Sequence, residues 1–459
     1  MEPQHDASTS YRVHVLEASA RARRGVIQCE IGKGKNLSFS SEALESYCFS
    51  PREPIIFDAL LLAAAVEFCD RGLRRPTASW SRDILLRLPV HDASRWKSAA
   101  VIGTLTEALN FLTGDRWTFD FHERKYNELL PGQRPLNLSV NTNAVMPFSD
   151  GLDSWSVGTL FERNRGAEFL RVRVLSSRVG RAPSDRLLPF ASIPYDVRTR
   201  TNNQPGNAGR HRGFKFALVS GLAAYLAGVD KVIMPESGQG ALGPALVPVG
   251  SVYPDFRSHP QFTAKMERFL TALFGCRINY DFPRLWNTKG ETLRDAVAHA
   301  ADPDVWKKTR SCWQHNGRVS IDGKRRQCGV CAACMLRRLS VHAAGLQESP
   351  NTYVWENLGS RTFEAGAPAN FSKPPKPYQE YAVAGALHMD NLATFGTLQL
   401  QQASLKRHVF QIAQCLGESP VIVEGKLRTL LTKHAEEWGN FVKSPGDESF
   451  VKPWARAAA

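Results

Sequence analysis

Four cysteines place the tightest constraint on this chain. Cys312 is followed by Cys328, Cys331 and Cys334 in a C-x-x-C-x-x-C run. Four thiolates at this spacing can close a tetrahedron around one metal ion. Because every ligand is a cysteine, no coordination position remains for a substrate, and the site reads as structural rather than catalytic. Zinc and an iron–sulfur cluster both accept such a ligand set, and the small closed loop speaks for zinc. The other cysteines (Cys29, Cys48, Cys69, Cys276 and Cys415) are scattered and read as small buried hydrophobes.

At 459 residues the chain is long enough for two or three domains, and a hydrophobic fraction of 43% argues against wholesale disorder. The longest apolar runs, around Ala59–Phe68 and Phe216–Val229, are too short to cross a bilayer. The opening MEPQHDASTS lacks the basic start and apolar core of a secretory signal, so a cytoplasmic location without membrane contact is expected. The formal net charge of +14 is spread along the chain. That pattern fits a basic surface or phosphate-bearing ligands better than a dedicated nucleic-acid patch, and nucleic acid is a possible but less favoured partner.

The apolar periodicity changes character near residue 140. Before it, Tyr11–Glu17, Val26–Ile31, Asn36–Phe39, Asp83–Pro89 and Trp117–His122 read as strands, and Ile55–Arg71 and Arg95–Leu112 as helices. This suggests an α+β domain over residues 1–140, closed by a break at Pro131–Pro135. From 141 to 348 strand and helix alternate: Ala144–Phe148, Asp153–Asn164, Glu168–Leu175, Arg212–Ala227 and Lys231–Pro235. That rhythm implies an α/β domain with a parallel sheet. Beyond 349 a Pro-rich stretch leads to two amphipathic helices, near Gln399–Cys415 and Val421–Trp438, which read as a separate helical tail. Their apolar stripes could receive a protein partner or simply pack on the core.

Between the first strand and helix of the α/β part lies Ser149-Asp150-Gly151-Leu152-Asp153-Ser154. In open α/β sheets this is where backbone N–H groups, hydroxyls and a helix N-terminus meet an anion. Gly151 lets the backbone approach, Ser149 and Ser154 offer hydroxyls, and Asp153 could hold a metal ion or orient the loop. Such a cluster is equally an ordinary turn and helix cap. No Walker A loop occurs anywhere in the chain.

The loop resembles the S-G-G-x-D-S loop of PP-loop ATP pyrophosphatases, with Asp150 in place of one glycine. Further motifs follow in order: Gly209-Arg210-His211-Arg212-Gly213-Phe214, Tyr253-Pro254-Asp255-Phe256-Arg257, Thr288-Lys289-Gly290-Glu291-Thr292, and the run from Ser311-Cys312 to Cys334-Met335-Leu336-Arg337. From residue 144 to about 345 this series is similar to the 7-cyano-7-deazaguanine synthase (QueC) family. The resemblance implies an adenine-nucleotide α-hydrolase-like, Rossmann-like PP-loop fold with a zinc-binding insertion. It also implies an ATP-dependent ligase or amidase that adenylates the carboxylate of a deazapurine and releases pyrophosphate. An amide, a nitrile or a conjugate to an amine follows, with ATP, Mg²⁺ and Zn²⁺ as cofactors.

On that resemblance Ser149, Gly151, Asp153 and Ser154 hold the ATP phosphates and Lys289 supplies a point charge. Glu291 orients Lys289 or binds metal, Asp255 and Arg257 contact base or carboxylate, and Arg210 and Arg212 bind nucleotide. Cys312, Cys328, Cys331 and Cys334 hold zinc. The chain departs from the family in carrying Phe256 where cysteine is usual, and in the Glu236-Ser237-Gly238 segment with its expanded loop. Its outer segments resemble those of enlarged synthase-like proteins of bacterial antiphage operons, where the acceptor could be a protein amine. A nucleic-acid-modifying PP-loop enzyme and a non-catalytic scaffold are the alternatives.

Overall fold

The computed structural model describes residues 10–17, 25–40, 53–76, 81–125, 142–165, 168–175, 190–199, 209–248, 253–314, 318–373 and 375–455. In chain order the elements begin with β1 (Ser10–Leu16), β2 (Ile27–Glu30), β3 (Leu37–Phe39), α1 (Pro54–Gly72), β4 (Asp83–Val90), α2 (Ala93–Trp96), α3 (Ala99–Thr113), β5 (Arg116–Glu123) and β6 (Thr142–Pro147). Next come α4 (Leu152–Arg165), β7 (Glu168–Leu175), β8 (Phe190–Val197), α5 (His211–Ala227), β9 (Lys231–Ile233), α6 (Gly238–Ala241), α7 (Gly243–Leu246), α8 (Pro260–Phe274) and β10 (Asn279–Asp281). The remainder is α9 (Lys289–His299), β11 (Ser320–Ile321), β12 (Lys324–Arg325), α10 (Ala332–Ala343), α11 (Pro375–Phe395), α12 (Gln402–Leu416) and α13 (Pro420–Lys443). Among the described residues no helix is long and apolar enough to cross a membrane.

These elements group into two compact units that interleave along the chain. One comprises Met1–Pro147, Ala167–Met234 and Phe262–Asp281; the other comprises Phe148–Gly166, Pro235–Gln261 and Phe282–Ala459. The linear division at 140 and 348 therefore does not coincide with the packing. The expected break at Pro131–Pro135 lies outside the described residues, as does Cys48.

The first unit holds two sheets. One has the order β2-β1-β4-β5 and is parallel throughout, so the expected α+β arrangement meets a parallel sheet here. Its edge strand β5 alternates, with Trp117, Phe119 and Phe121 inward and Arg116, Thr118 and Asp120 outward. The other sheet has the order β10-β9-β6-β7-β8-β3, parallel except for β3, which pairs antiparallel with β8. Chain order reverses between β6 and β9. Such a reversal is where the loops leaving the carboxyl ends of parallel strands form ligand crevices.

Helix α1 starts at a proline suited to a first turn and is apolar on nearly every side. It packs on β4 of one sheet and on β3 and β8 of the other, which is why so hydrophobic a helix is tolerated. Its acidic residues Glu67 and Asp70 are buried as well and need partners. The fully buried Arg82 reaches Asp70 at 3.0 Å and Asp115 at 2.6 Å, and Arg75 reaches Asp115 at 2.9 Å. His211 Nδ1 lies 2.8 Å from Asp70, and Lys215 lies 2.7 Å from Glu67. Burial pushes the Glu67 carboxyl up, but Lys215, His211 and Arg71 outweigh it and bring it down to about 2. Burial acts on Asp70 in the same way and is likewise outweighed, here by His211, Arg82 and Arg75.

The second unit is mainly helical. Helices α4, α9 and α10 pack in sequence, and Leu152, Trp155, Leu293, Ala296, Trp306 and Val341 form their shared core. The C-terminal helices join the same unit. Tyr378, Ala382, Trp438 and Phe441 share one hydrophobic cluster with Cys328, Cys331 and Cys334. Leu405, Ile412, Leu427 and Leu430 pack with Leu242 and Leu285 in another. The apolar stripes seen in the sequence are thus largely used within the unit. Helix α11 arises where the sequence suggests a Pro-rich linker. Pro375 and Pro377 fall in its first turn, where a missing N–H costs nothing.

The buried network of the first unit yields a prediction. Asp115→Ala leaves Arg82 and Arg75 without their shared carboxylate and is expected to cost about 3–5 kcal/mol, read from urea unfolding. The depressed Glu67 and Asp70 carboxyls stabilise the fold above the usual carboxylate range. That contribution should drain away as pH falls below about 4.5 towards 2.

Candidate active site and metal centre

The chain leaves β6 into the segment Phe148–Gly151 and enters α4 at Leu152. The loop is closed by its own hydroxyls. The Ser149 and Ser154 Oγ atoms are 2.9 Å apart, the Ser149 N–H donates to Ser154 Oγ at 3.1 Å, and the Gly151 N–H donates to Ser149 Oγ at 3.1 Å. A Cβ at position 151 would stand 2.9 Å from Ser149 Oγ, so a side chain there would break into this ring.

Asp153, in the first turn of α4, forms an ion pair with Lys289, the first residue of α9. The N-terminal ends of the two helices therefore meet. Each end contributes partial positive charge, and the Lys289 ammonium, with 8% of its side chain exposed, adds a full one. Ser237 Oγ lies 3.5 Å from the second Asp153 oxygen.

Thr288 explains why α9 begins where it does. Its hydroxyl accepts the Glu291 N–H at 3.1 Å, and the Glu291 carboxylate accepts the Thr288 N–H at 2.9 Å, a complete capping box. The remaining Glu291 oxygen pairs with Lys433. Glu291 is therefore engaged in capping and with α13, and the carboxylate that pairs with Lys289 is Asp153. The T-K-x-E motif carries a helix start and a buried cation in four residues.

Asp255 and Arg257 pair with each other. Arg257 Nε lies 2.9 Å and 2.8 Å from the two Asp255 oxygens, and the Arg257 N–H donates to Asp255 Oδ1 at 3.0 Å. Arg210 and Arg212 belong to the other compact unit. There the buried Arg210 guanidinium donates to the Thr113 carbonyl at 2.9 Å, and Arg212 lies over the Phe216 ring.

Two residues of this region escaped the sequence reading of site roles. Glu236 keeps some surface, yet desolvation is the largest influence on its carboxyl, and the Asp153 charge adds to it. Lys289 and Arg257 oppose, and the balance stands at about 8. Gln239 accepts the Lys289 backbone N–H at 2.8 Å. The available signal was position: both residues follow β9, the neighbour of β6 at the point where chain order reverses.

The four cysteines converge as their spacing implied. Their sulfur atoms all lie within 4.8 Å of one another, with Cys328, Cys331 and Cys334 buried and Cys312 half-buried. The Cys328 and Gln314 N–H groups point at Cys312 Sγ at 3.2 Å and 3.4 Å, and the Cys331 N–H points at Cys328 Sγ at 3.3 Å. Thiols of Cys328, Cys331 and Cys334 donating to Cys312 hold its pKa far below the usual thiol range. Sulfur donors, amide support and burial fit a metal ion. The cluster is also tied to the phosphate-type loop. The Arg310 N–H donates to the Asp150 carbonyl at 2.7 Å, and the N–H groups of Ser311 and Cys312 donate to Gln327 Oε1 at 2.8 Å and 3.1 Å.

Residues 248–345 match the family of Queuosine biosynthesis protein QueC. The 7-cyano-7-deazaguanine synthases of Cupriavidus taiwanensis and Cupriavidus necator are each 33% identical to it over 108 residues, 22% of this chain and 42% of theirs. The chain thus spans less than half the length of the curated relatives it matches. No solved structure is a significant match. The matched region contains Asp255, Arg257, Lys289 and all four cysteines; the 149–154 loop lies outside it.

The site generates two predictions. Purified protein should carry one thiophilic metal ion per chain by elemental analysis, and Cys328→Ser should lose the ion and melt earlier. Glu236 binds its proton more tightly in the folded state, so its contribution to stability is full below about 4.5 and is lost as pH rises through about 8. Glu236→Gln should therefore raise the melting temperature above pH 8 and leave it unchanged near pH 4.5.

Proposed function

We propose that this protein is an ATP-dependent adenylating enzyme of the 7-cyano-7-deazaguanine synthase type, acting on a deazapurine carboxylate. The observation that carries the reading is the Asp153–Lys289 pair, set where the S-D-G-L-D-S helix and the T-K-G-E helix begin. Two helix N-termini and a buried ammonium form a receptor for a polyanion. The family match and the two synthase relatives add the class of substrate.

In this reading a carboxylate oxygen of the substrate attacks the α-phosphorus of ATP, and the bond between the α- and β-phosphates breaks to release pyrophosphate. An amine then attacks the acyl carbon, AMP leaves with the bonding pair, and the amine proton passes to a base. Lys289, Ser149, Ser154 and the loop amides neutralise the pyrophosphate as it departs. Asp153 aligns Lys289 and would be the carboxylate to hold Mg²⁺, which would supply further positive charge for the departing phosphates. Asp255 and Arg257 are proposed to meet the substrate. The cysteine cluster is proposed to hold zinc in a structural role, which would commit these four thiols to the metal rather than to sulfur transfer. Whether the acceptor is ammonia or a protein amine, as in an antiphage system, is decided by the product.

The test is incubation with ATP, Mg²⁺, ammonia and 7-carboxy-7-deazaguanine, followed by quantification of AMP, pyrophosphate and the modified base. AMP and pyrophosphate in equal amounts are expected; ADP and orthophosphate would overturn the proposal. Asp153→Ala and Lys289→Ala should each lower the rate by about 10²- to 10³-fold, as loss of a charge-stabilising group does. If Asp153 only capped its helix, its removal would cost about 0.5–2 kcal/mol and leave the rate intact. Melting curves recorded beside the rates separate the two.

A further inference from the structure

Helix α13 lies far along the chain from the candidate site and outside the family match, yet it comes very close to it. A Cβ on Gly238 would stand 2.2 Å from the Leu285 carbonyl and 2.5 Å from the Leu430 side chain. A Cβ on Gly290 would stand 2.8 Å from Ala343 Cβ and 3.1 Å from Glu437 Oε1. Glycine at both positions is what allows α13 to press against the starts of α6 and α9.

Through this approach a single hydrogen-bonded chain reaches Lys289. The Met389 carbonyl can only accept, so it receives the His434 Nε2–H at 2.8 Å. His434 Nδ1 is then the acceptor for Gln239 Nε2 at 2.8 Å, which turns Gln239 Oε1 towards the Lys289 N–H at 2.8 Å. The backbone N–H of Lys289 can only donate, so the chain has one sense from end to end. Burial lowers the His434 imidazole to about 4, in keeping with this neutral form. Glu437 completes the arrangement. It accepts the Thr288 hydroxyl proton and lies 3.3 Å from Gln239 Nε2, so it grips both residues that set the start of α9.

Resting on the proposed function, we propose that Glu437 and His434 are positioning residues of the active site, holding Lys289 in register with Asp153 through Gln239 and Thr288. The C-terminal helix is then a working part of the adenylation site. The charged groups that act on Glu437 are Glu291 and Arg294 on α9; on its own helix Lys433 pairs with Glu291 and His434 bonds Gln239, while on the helices packed against α13 His342 of α10 meets the Phe441 ring and Asp390 of α11 accepts from Trp438. Burial raises its carboxyl, with Thr288 and Gln239 drawing it back, and the result is about 7. The ionised form accepts from Thr288 and Gln239 together, so turnover should rise with pH through about 7.

The experiment measures pyrophosphate release from ATP across the interval on either side of pH 7, for wild type, Glu437→Gln, Glu437→Ala and His434→Phe, with melting curves for each. The expected result is an inflection near 7 in wild-type kcat that Glu437→Gln abolishes. Glu437→Ala and His434→Phe should lower kcat roughly 10- to 100-fold and weaken ATP binding up to about tenfold, because a misaligned Lys289 serves both the bound nucleotide and the departing pyrophosphate less well. Folded variants that keep both the wild-type kcat and the inflection overturn the inference. If His434→Phe fails to fold, Glu437→Gln, which preserves shape, still decides. If wild type releases no pyrophosphate, the proposed function fails by itself, and Mg·ATP affinity becomes the readout. Affinity roughly tenfold weaker in the variants then supports the positioning role, and unchanged affinity overturns it. A wild type that binds no ATP overturns both.

Discussion

The organisation of the second compact unit follows from a single awkward charge. Lys289 is the first residue of a helix, where the backbone already presents partial positive charge, and it is nearly buried. A cation there is costly unless it is paired, and even a good pair rarely repays the desolvation of both partners. Asp153 answers the charge, but Asp153 is itself in the first turn of α4, so two helix starts are drawn to one point. Ser237 then reaches the second Asp153 oxygen, and Gln239 accepts the Lys289 backbone N–H. Two helix starts, a nearly buried cation and its carboxylate thus share one point of the unit.

Glu236 sharpens that view. If it were ionised beside Asp153 and Asp255, the carboxylates would outnumber Lys289 and Arg257. Desolvation keeps its proton on up to about 8, so near neutrality two cations face two anions and the region carries no excess negative charge. The cysteine cluster contributes at a distance of a few residues. Arg310, which holds the Asp150 carbonyl, stands just before Ser311 and Cys312, whose amides rest on Gln327 beside Cys328. Folding of the thiol cluster and the shape of the 149–154 loop therefore share one strand of backbone.

The features legible in the sequence were those with short-range signatures. The cysteine spacing, the S-D-G-L-D-S loop and the T-K-G-E segment each lie within a few residues, and each was found where the structure brings polar groups together. The alternation of strand and helix after residue 140 likewise announced a parallel sheet. Contributions that depend on distant parts of the chain were not legible. Nothing local marks Gln239, His434 or Glu437, because their roles arise only when α13 packs on α6 and α9. Glu291 illustrates the opposite error: a carboxylate three residues after a threonine is a helix-start signature as much as a functional one, and the structure uses it as such. The parallel arrangement of β2-β1-β4-β5 was hidden because a short strand carries no sign of its partner's direction.

The C-terminal helices α11, α12 and α13 lie beyond the matched region. The family match ends at residue 345, soon after the cysteines. Helices α11 and α13 bury Tyr378, Ala382, Trp438 and Phe441 against the very side chains that would encircle the metal. A helix attached only there would be a cover, replaceable by any apolar surface of similar shape. Polar contacts aimed at a neighbouring helix start are a different matter, because each costs desolvation and tolerates little displacement. His434, Glu437 and Lys433 occupy one face of α13 and meet Gln239, Thr288 and Glu291 in turn. Apolar burial fixes where the helix lies, and this polar face fixes how it is rotated, so the orientation of Lys289 becomes a property of the whole unit rather than of its first turn.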